Sequence, residues 1–141
     1  MRVERYYGCP PEAMQVRQRV FVEEQGFRDE FDQIDGYATH FVLFDSENAP
    51  VATCRVFESP EKNIYILGRL AVIKHYRGQG WGSALVKQAE AHVCSMGGLE
   101  LRLHAQCRVK DFYAGLGFSA FGDVEYEEDC PHIWMKKSWK P

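Results

Sequence analysis

No run of apolar residues in this sequence approaches the roughly twenty needed to cross a bilayer, so it offers no candidate transmembrane helix and no membrane partner is expected. The opening residues, Met1-Arg2-Val3-Glu4-Arg5, lack the apolar core of a secretory signal, which leads us to expect a cytoplasmic protein. Neither sign of charge dominates. Lys and Arg number 17 against 20 Asp and Glu, a formal net of −3, so there is no global attraction to nucleic acid, although a local patch could hold an anionic ligand. Cysteine lacks any framework pattern: Cys9, Cys54, Cys94, Cys107 and Cys130 are odd in number, scattered and without a C-x-x-C pair, which argues against disulfides. Cys130-Pro131-His132 comes nearest to a zinc motif, but nothing at metal-site spacing accompanies it. The thiols therefore read as packed or surface groups, and no metal is expected. Internal repeats and low-complexity linkers are also missing. What is present, 45% hydrophobic and 13% aromatic residues over 141 positions, excludes a disordered chain and suits a single domain, residues 1–141, with a real core.

The most informative stretch runs from Leu70-Ala71-Val72, an apolar strand, through Arg77-Gly78-Gln79-Gly80-Trp81-Gly82-Ser83 into a helix. Glycine at alternate positions lets successive backbone N–H groups turn inward against an anion. The following helix adds its own unpaired N–H groups and the positive end of its dipole. The stretch is thus a candidate pyrophosphate seat, with Arg77 as an extra charge. An ATP or GTP P-loop is excluded because no lysine precedes Ser83. A Rossmann fingerprint would place its first glycine at the strand end, whereas Lys74-His75-Tyr76-Arg77 intervenes, and Glu100, near the ribose-binding position, sits amid the alternating Leu99, Leu101 and Leu103. The pattern [RQ]-x-x-G-x-[GA] matches fully.

Around that stretch the chain reads as alternating elements. Met1 to Tyr7 suits an edge strand. Pro10-Pro11-Glu12 starts a helix whose apolar face is Ala13, Val16, Val20 and Phe21, ending at Gly26. Phe27 to Thr39 is irregular and acidic, with Asp29, Glu30, Asp32 and Asp35, and reads either as a solvated loop or as a holder of a cationic substrate. His40 to Phe44 and Val51 to Phe57 form a hairpin, and Ile64 to Val72 is the strand that feeds the glycines. Beyond the glycines, Ala84, Leu85, Ala89, Val93 and Met96 share a helical face up to Gly97-Gly98. Leu99 to Leu103 alternates as a half-buried strand, Arg108 to Leu116 is a helix, and Phe118 to Gly122 and His132 to Lys137 are strands around the acidic turn Glu125 to Asp129. The order implies an α/β (α+β) domain with a mixed sheet and helices on its faces. His75 and His92 are expected to face solvent and Trp81 to serve packing.

Taken with Arg77 to Gly82, four further segments give the chain its resemblance to the GNAT superfamily of acyl-CoA-dependent N-acetyltransferases, nearest its ElaA-type branch. Arg19-Val20-Phe21-Val22-Glu23-Glu24-Gln25 resembles the branch's R-x-V-F-V-x-E-Q helix end, and Asp35-Gly36 with His40 its D-G-x-x-x-H run. Gly68-Arg69-Leu70-Ala71-Val72 resembles G-R-[VL]-A-V. Phe112-Tyr113 with Leu116-Gly117-Phe118, and Pro131-His132 with Met135, resemble F-Y-x-x-x-G-[FY] and P-H-x-x-M. Two segments depart from the pattern: His104-Ala105-Gln106 stands where relatives often have Asn-Ala-Gln, and Asp129-Cys130 replaces a glycine-containing lead into Pro-His.

The resemblance implies a largely antiparallel central sheet of about seven strands. It also implies transfer of an acetyl group from acetyl-CoA, as cosubstrate and without a metal, to a primary amine of a small molecule by direct attack in a ternary complex. Leu70, Ala71 and Val72 would meet the pantetheine arm, with one N–H at the thioester oxygen. Arg77, Gly78, Gln79, Gly80, Trp81, Gly82 and Ser83 would hold the pyrophosphate, with His104 and Tyr113 on the cofactor side. Tyr113, with Phe112 expected to take the core direction, would protonate the departing thiolate or else be an ordinary core aromatic. Glu23, Glu24, Asp35, His40 and His132 are the candidates for holding the acceptor or accepting its proton, Glu24 first. A module that binds acyl-CoA without turnover is the alternative, and a homodimeric assembly is left open.

Overall fold

In the computed structural model, which describes residues 1–28 and 30–140, seven strands form one sheet in the order β1-β2-β3-β4-β5-β7-β6. They are β1 (Arg2–Tyr7), β2 (Thr39–Phe44), β3 (Pro50–Glu58), β4 (Ile64–Val72), β5 (Glu100–Gln106), β6 (Ser119–Glu127) and β7 (Cys130–Ser138). Every pairing is antiparallel except β4 with β5. The helices are α1 (Pro11–Arg17), continued by a wider π-helical segment (Gln18–Glu24), α2 (Trp81–Ser95) and α3 (Lys110–Gly115). No described helix is long and apolar enough to cross a membrane.

Local chemistry explains most of these elements. Pro11 opens α1 where a missing N–H costs nothing, and Gly26, at φ +80°, closes the helical run with its N–H on the Val22 carbonyl. All six residues of β2 are buried because both faces are covered. Val42 and Phe44 meet Ala13 of α1, while Phe41 and Leu43 join the main core with Leu85, Val86, Ala89 and Val93 of α2. On β5, Leu101, Leu103 and Ala105 are buried and the alternate residues are half-buried, as the strict alternation anticipates.

The sheet opens at its centre. β4 and β5 run parallel only from Ile64 opposite Glu100 to Leu67 opposite Leu103. Arg69 then takes φ +53°, and the register against β3 slips between Arg55↔Gly68 and Thr53↔Ala71, so that a bulge forms. Past the bulge β4 stays with β3 and β5 stays with β7 as far as Gln106↔His132, leaving a wedge between them.

Several expectations change. The acidic stretch is neither a solvated loop nor an open cation holder, because arginines from the core fill it. Arg17, fully buried on α1, donates from Nε to Glu30 Oε2 (2.7 Å) and from Nη1 and Nη2 to Asp35 (2.6 and 3.1 Å). Arg55 of β3 donates to Asp32 (2.6 Å) and Asp35 (2.9 Å), and Arg69 Nε lies 3.2 Å from Glu30. Asp29, also in this stretch, lies outside the described residues. His92 is buried on α2, edge-on to Phe41 and facing Arg5, whereas Met96 is 55% exposed. β6 extends through most of the supposed acidic turn, which narrows to Glu128-Asp129, both at positive φ. The Phe112 and Tyr113 roles are exchanged: Tyr113 is buried and Phe112 is 37% exposed. The cysteines are all free, with Cys54 buried and its thiol pushed up to about 12 by desolvation.

The ionic cluster makes acid stability testable. Burial would raise Asp35, but hydrogen bonds from Arg17, the Asp32 N–H and Arg55 hold it down at about 2. Its stabilisation is therefore present above the ordinary value near 3.9 and lost as pH falls toward 2. His40, lowered by burial, adds a loss that begins as pH drops through about 6.5, where the unfolded chain takes up a proton first. Glu30, raised by burial, works the other way above about 4.5, so urea midpoints should be lower at pH 3 than at pH 7, with the steepest fall below that value. Asp35→Asn, which leaves buried guanidinium charge uncompensated, should cost about 3–5 kcal/mol at pH 7 and have a shallower acid limb. A flat profile in the wild-type protein would refute this account.

Candidate active site

The wedge between β4 and β5 ends at the glycine stretch. Lys74–Tyr76 makes one 3₁₀ turn, after which Gly78 and Gly80 both sit at positive φ (76° and 86°). The N–H groups of Gly78, Gln79 and Gly80 donate to no backbone carbonyl among the described residues, and the first turn of α2 adds further free donors. A Cβ at Gly78 or Gly80 would meet nothing within 4 Å, so the loop opens onto free space. At Gly82 a Cβ would come 3.4 Å from Cζ of Phe112 and 3.6 Å from Val72, ordinary contact distances, so α3 backs the loop here. The Gln79 side chain braces it, donating to the His75 carbonyl and accepting from Trp81, whose ring packs on the core as expected. This donor-lined, sterically open seat beside a split sheet fits a pyrophosphate with an extended arm.

Arg77 is committed elsewhere. Its Nε donates to the Val72 carbonyl (2.8 Å), and both terminal nitrogens donate to the Glu24 carboxylate at 2.7 Å. The open donors of the loop are accordingly backbone N–H groups, while Arg77 ties the loop to the end of the first helical run. Its hydrogen bonds lower the pKa of Glu24.

Next to this tie lies a cleft of about 340 Å³. Its walls are residues 24–27 at the helix end, Gln106 at the end of β5 with Arg108 just past it, and Glu128 and Cys130 at the β6–β7 turn. Gln106 Nε2 donates to Gln25 Oε1 (2.9 Å) and joins the first two walls. Glu128 accepts from the Arg28 N–H (2.9 Å). Of the sequence candidates for the acceptor side, only Glu24 lines the cleft. Glu23 is exposed beside it. Asp35 and His40 belong to the buried ionic cluster, with His40 Nε2 donating to the Asp35 carbonyl (3.2 Å). Cys9 joins them, and ligand atoms of the three lie within 4.8 Å of one another, yet the Asp35 oxygens are held by Arg17 and Arg55, whose charges oppose a cation there.

His132 is buried behind the cleft wall, edge-on to Phe27 at 6.5 Å, with Nδ1 donating to the Cys130 carbonyl. His104 is stacked between it and Trp134, at 5.0 and 4.8 Å. Its Nδ1 is 2.7 Å from Glu127, and its Nε2 is 3.1 Å from Glu125 without hydrogen-bond alignment. The His104 side chain thus engages β6. Tyr113 lies against Phe112 (5.0 Å) and Phe118 (6.0 Å), and burial raises its hydroxyl pKa. Sequence reasoning missed Arg17, Arg55 and Arg108. Arg17, four residues after Ala13 on an otherwise apolar stripe, was the available signal.

Comparison with known proteins agrees with this geometry. A family model described as acetyltransferase (GNAT) domain matches residues 9–139. A candidate acetyltransferase of Bacillus subtilis (strain 168) is 34% identical over 130 residues, covering 89% of this chain and 86% of its own. The crystal structure of Escherichia coli ElaA superposes with TM-score 0.83 at 28% identity over 98% of this chain and 100% of that one. An aminoglycoside 6'-N-acetyltransferase complexed with coenzyme A shares the fold alone, with TM-score 0.79 at 18% identity over 100% and 98% of the two chains.

If the glycine loop is the pyrophosphate seat, Gly80→Glu should abolish CoA-induced thermal stabilisation. The new side chain meets no protein atom and costs only about 1 kcal/mol in backbone strain, so the variant should fold. Its carboxylate would stand among donors meant for phosphate. A folded variant with an undiminished CoA-induced shift in Tm would remove the loop from the binding site.

Proposed function

The chain belongs to the GNAT acetyltransferase family, and on that premise we propose that it transfers an acetyl group from acetyl-CoA to a primary amine of a small molecule in a ternary complex. The observation that carries this reading is the wedge past Leu67 and Leu103, which ends on the unpartnered N–H groups of residues 78–80 and abuts a separate polar cleft. One compartment suits an extended anionic thioester and the other a small polar acceptor.

Acetyl-CoA supplies a thioester carbonyl and a thiolate leaving group. In the net reaction a C–N bond forms, the C–S bond breaks, the amine gives up a proton and the sulfur gains one. Leu70, Ala71 and Val72 of β4 present backbone groups to the wedge, and an N–H there stabilises the oxyanion. The Tyr113 hydroxyl donates a proton to the departing sulfur, a transfer that the burial raising its pKa makes harder in the unliganded protein. Glu24, with both carboxylate oxygens on Arg77 and its pKa held below the ordinary carboxylate range, is a weak proton acceptor. The amine proton then leaves through water, and the rate follows the fraction of free amine.

The test is release of free thiol from acetyl-CoA across a panel of primary amines, alongside CoA-induced thermal stabilisation. Turnover should rise with pH toward the amine's own pKa, near 10 for a simple alkyl amine. Tyr113→Phe should lower kcat by about 10²–10⁴ with CoA stabilisation retained. CoA binding without transfer to any amine would favour an acyl-CoA-binding module. Undiminished kcat in Tyr113→Phe, with chemistry rate-limiting, would return the residue to a packing role.

A further inference from the structure

Resting on the acetyltransferase reading, we propose that the acceptor is a zwitterion, carrying a carboxylate as well as the reactive amine, and that Arg108 is the specificity residue that binds the carboxylate. The cleft carries Glu128 on its hairpin wall and Arg108 on the wall that follows β5, while Glu24 on the helix-end wall has both carboxylate oxygens on Arg77. Arg108 differs from the other arginines around the site. Arg17, Arg55, Arg69 and Arg77 each have a carboxylate oxygen within 3.2 Å, whereas the hydrogen bond Arg108 makes among the described residues is from Nε to the neutral amide of Gln106 (2.8 Å).

That single bond does positional work. Gln106 is itself held by Gln25 across the cleft, so the guanidinium is braced at Nε while Nη1 and Nη2 remain available as a two-pronged donor. Such a fork matches a carboxylate in bidentate geometry. A polyamine would place a second positive charge against this guanidinium. A neutral amine would leave it with water alone. At about 340 Å³ the cleft lies at the small end of ligand pockets, which suits an amino acid or a short aminoacyl compound.

The experiment compares matched acceptors that differ only in the carboxylate: phenylalanine, lysine and glutamate with their α-amides, and 4-aminobutyrate with its amide. Thiol release at saturating acetyl-CoA gives kcat/KM for each, and calorimetry on the CoA-saturated protein gives binding where turnover is slow. In the wild-type protein at least one acid should exceed its amide by about tenfold or more. Arg108→Gln should bring that ratio to within about threefold of unity, and Arg108→Lys should keep part of it through charge without the fork. Amides equal to or better than every acid in both assays would overturn the proposal, as would an acid preference that survives in Arg108→Gln. A raised KM for acetyl-CoA in Arg108→Gln with the acid-to-amide ratio intact would assign the guanidinium to the cosubstrate instead. Loss of the parent reading shows up separately, as wild-type protein that CoA does not stabilise.

Discussion

The open centre of the sheet depends on how Arg69 is held. A non-glycine residue at φ +53° is unfavourable by about 1 kcal/mol or more, and it persists only where its surroundings enforce it. Here the enforcement is ionic. The Arg69 guanidinium reaches the Glu30 carbonyl and carboxylate and the Asp32 carboxylate, and those groups are positioned in turn by Arg17 from α1 and Arg55 from β3. Arg69, Arg17 and Arg55 interlock with Glu30, Asp32 and Asp35, so the bulge, the loop before β2 and the first helix are fixed as one unit. Without the bulge, β4 would continue pairing with β5 past Leu67 and Leu103, and the wedge would close.

A second tie sets the two compartments against each other. The Arg77–Glu24 pair spans from the glycine loop to the acceptor cleft and is exposed, so its worth lies in position more than in stability. It neutralises a cleft carboxylate and at the same time engages the Arg77 side chain, so the open donors of the glycine loop are backbone groups. Such donors are fixed by φ and ψ alone and need no side-chain ordering when the anion arrives. The π-helical segment contributes to the same geometry. Its Gln25 N–H bonds the Val20 carbonyl, one residue further back than an α-helical turn allows, and this sets Glu24 and Gln25 at the cleft edge.

Burial divides these residues in two. Tyr113 and His132 are enclosed among aromatic rings and strands, while Glu24, Arg108 and the loop glycines Gly78 and Gly80 stay exposed. His104 and His132 form a stacked column with Trp134 that stiffens the β5–β7 face behind the cleft.

The sequence by itself determined what short-range pattern can encode. Strand alternation, the Pro11 and Gly26 ends of the first helical run, the glycine loop and the mixed order of elements are all consequences of one to four residues acting locally. Only the tertiary structure decided which charges are internal. Arg17 and Arg55 meet Asp35 from 18 and 20 positions away, so the acidic stretch looked solvated or substrate-facing although its Glu30 and Asp35 are buried in ion pairs. The same holds for Phe112 and Tyr113, adjacent on α3, where helical spacing leaves the choice of inward ring to the packing of α3 against Gly82 and Phe118. The pairing of Glu24 with Arg77 likewise spans 53 residues of chain. Local periodicity fixes which face a side chain shares, whereas ion pairing depends on distances that exist only after the sheet has assembled.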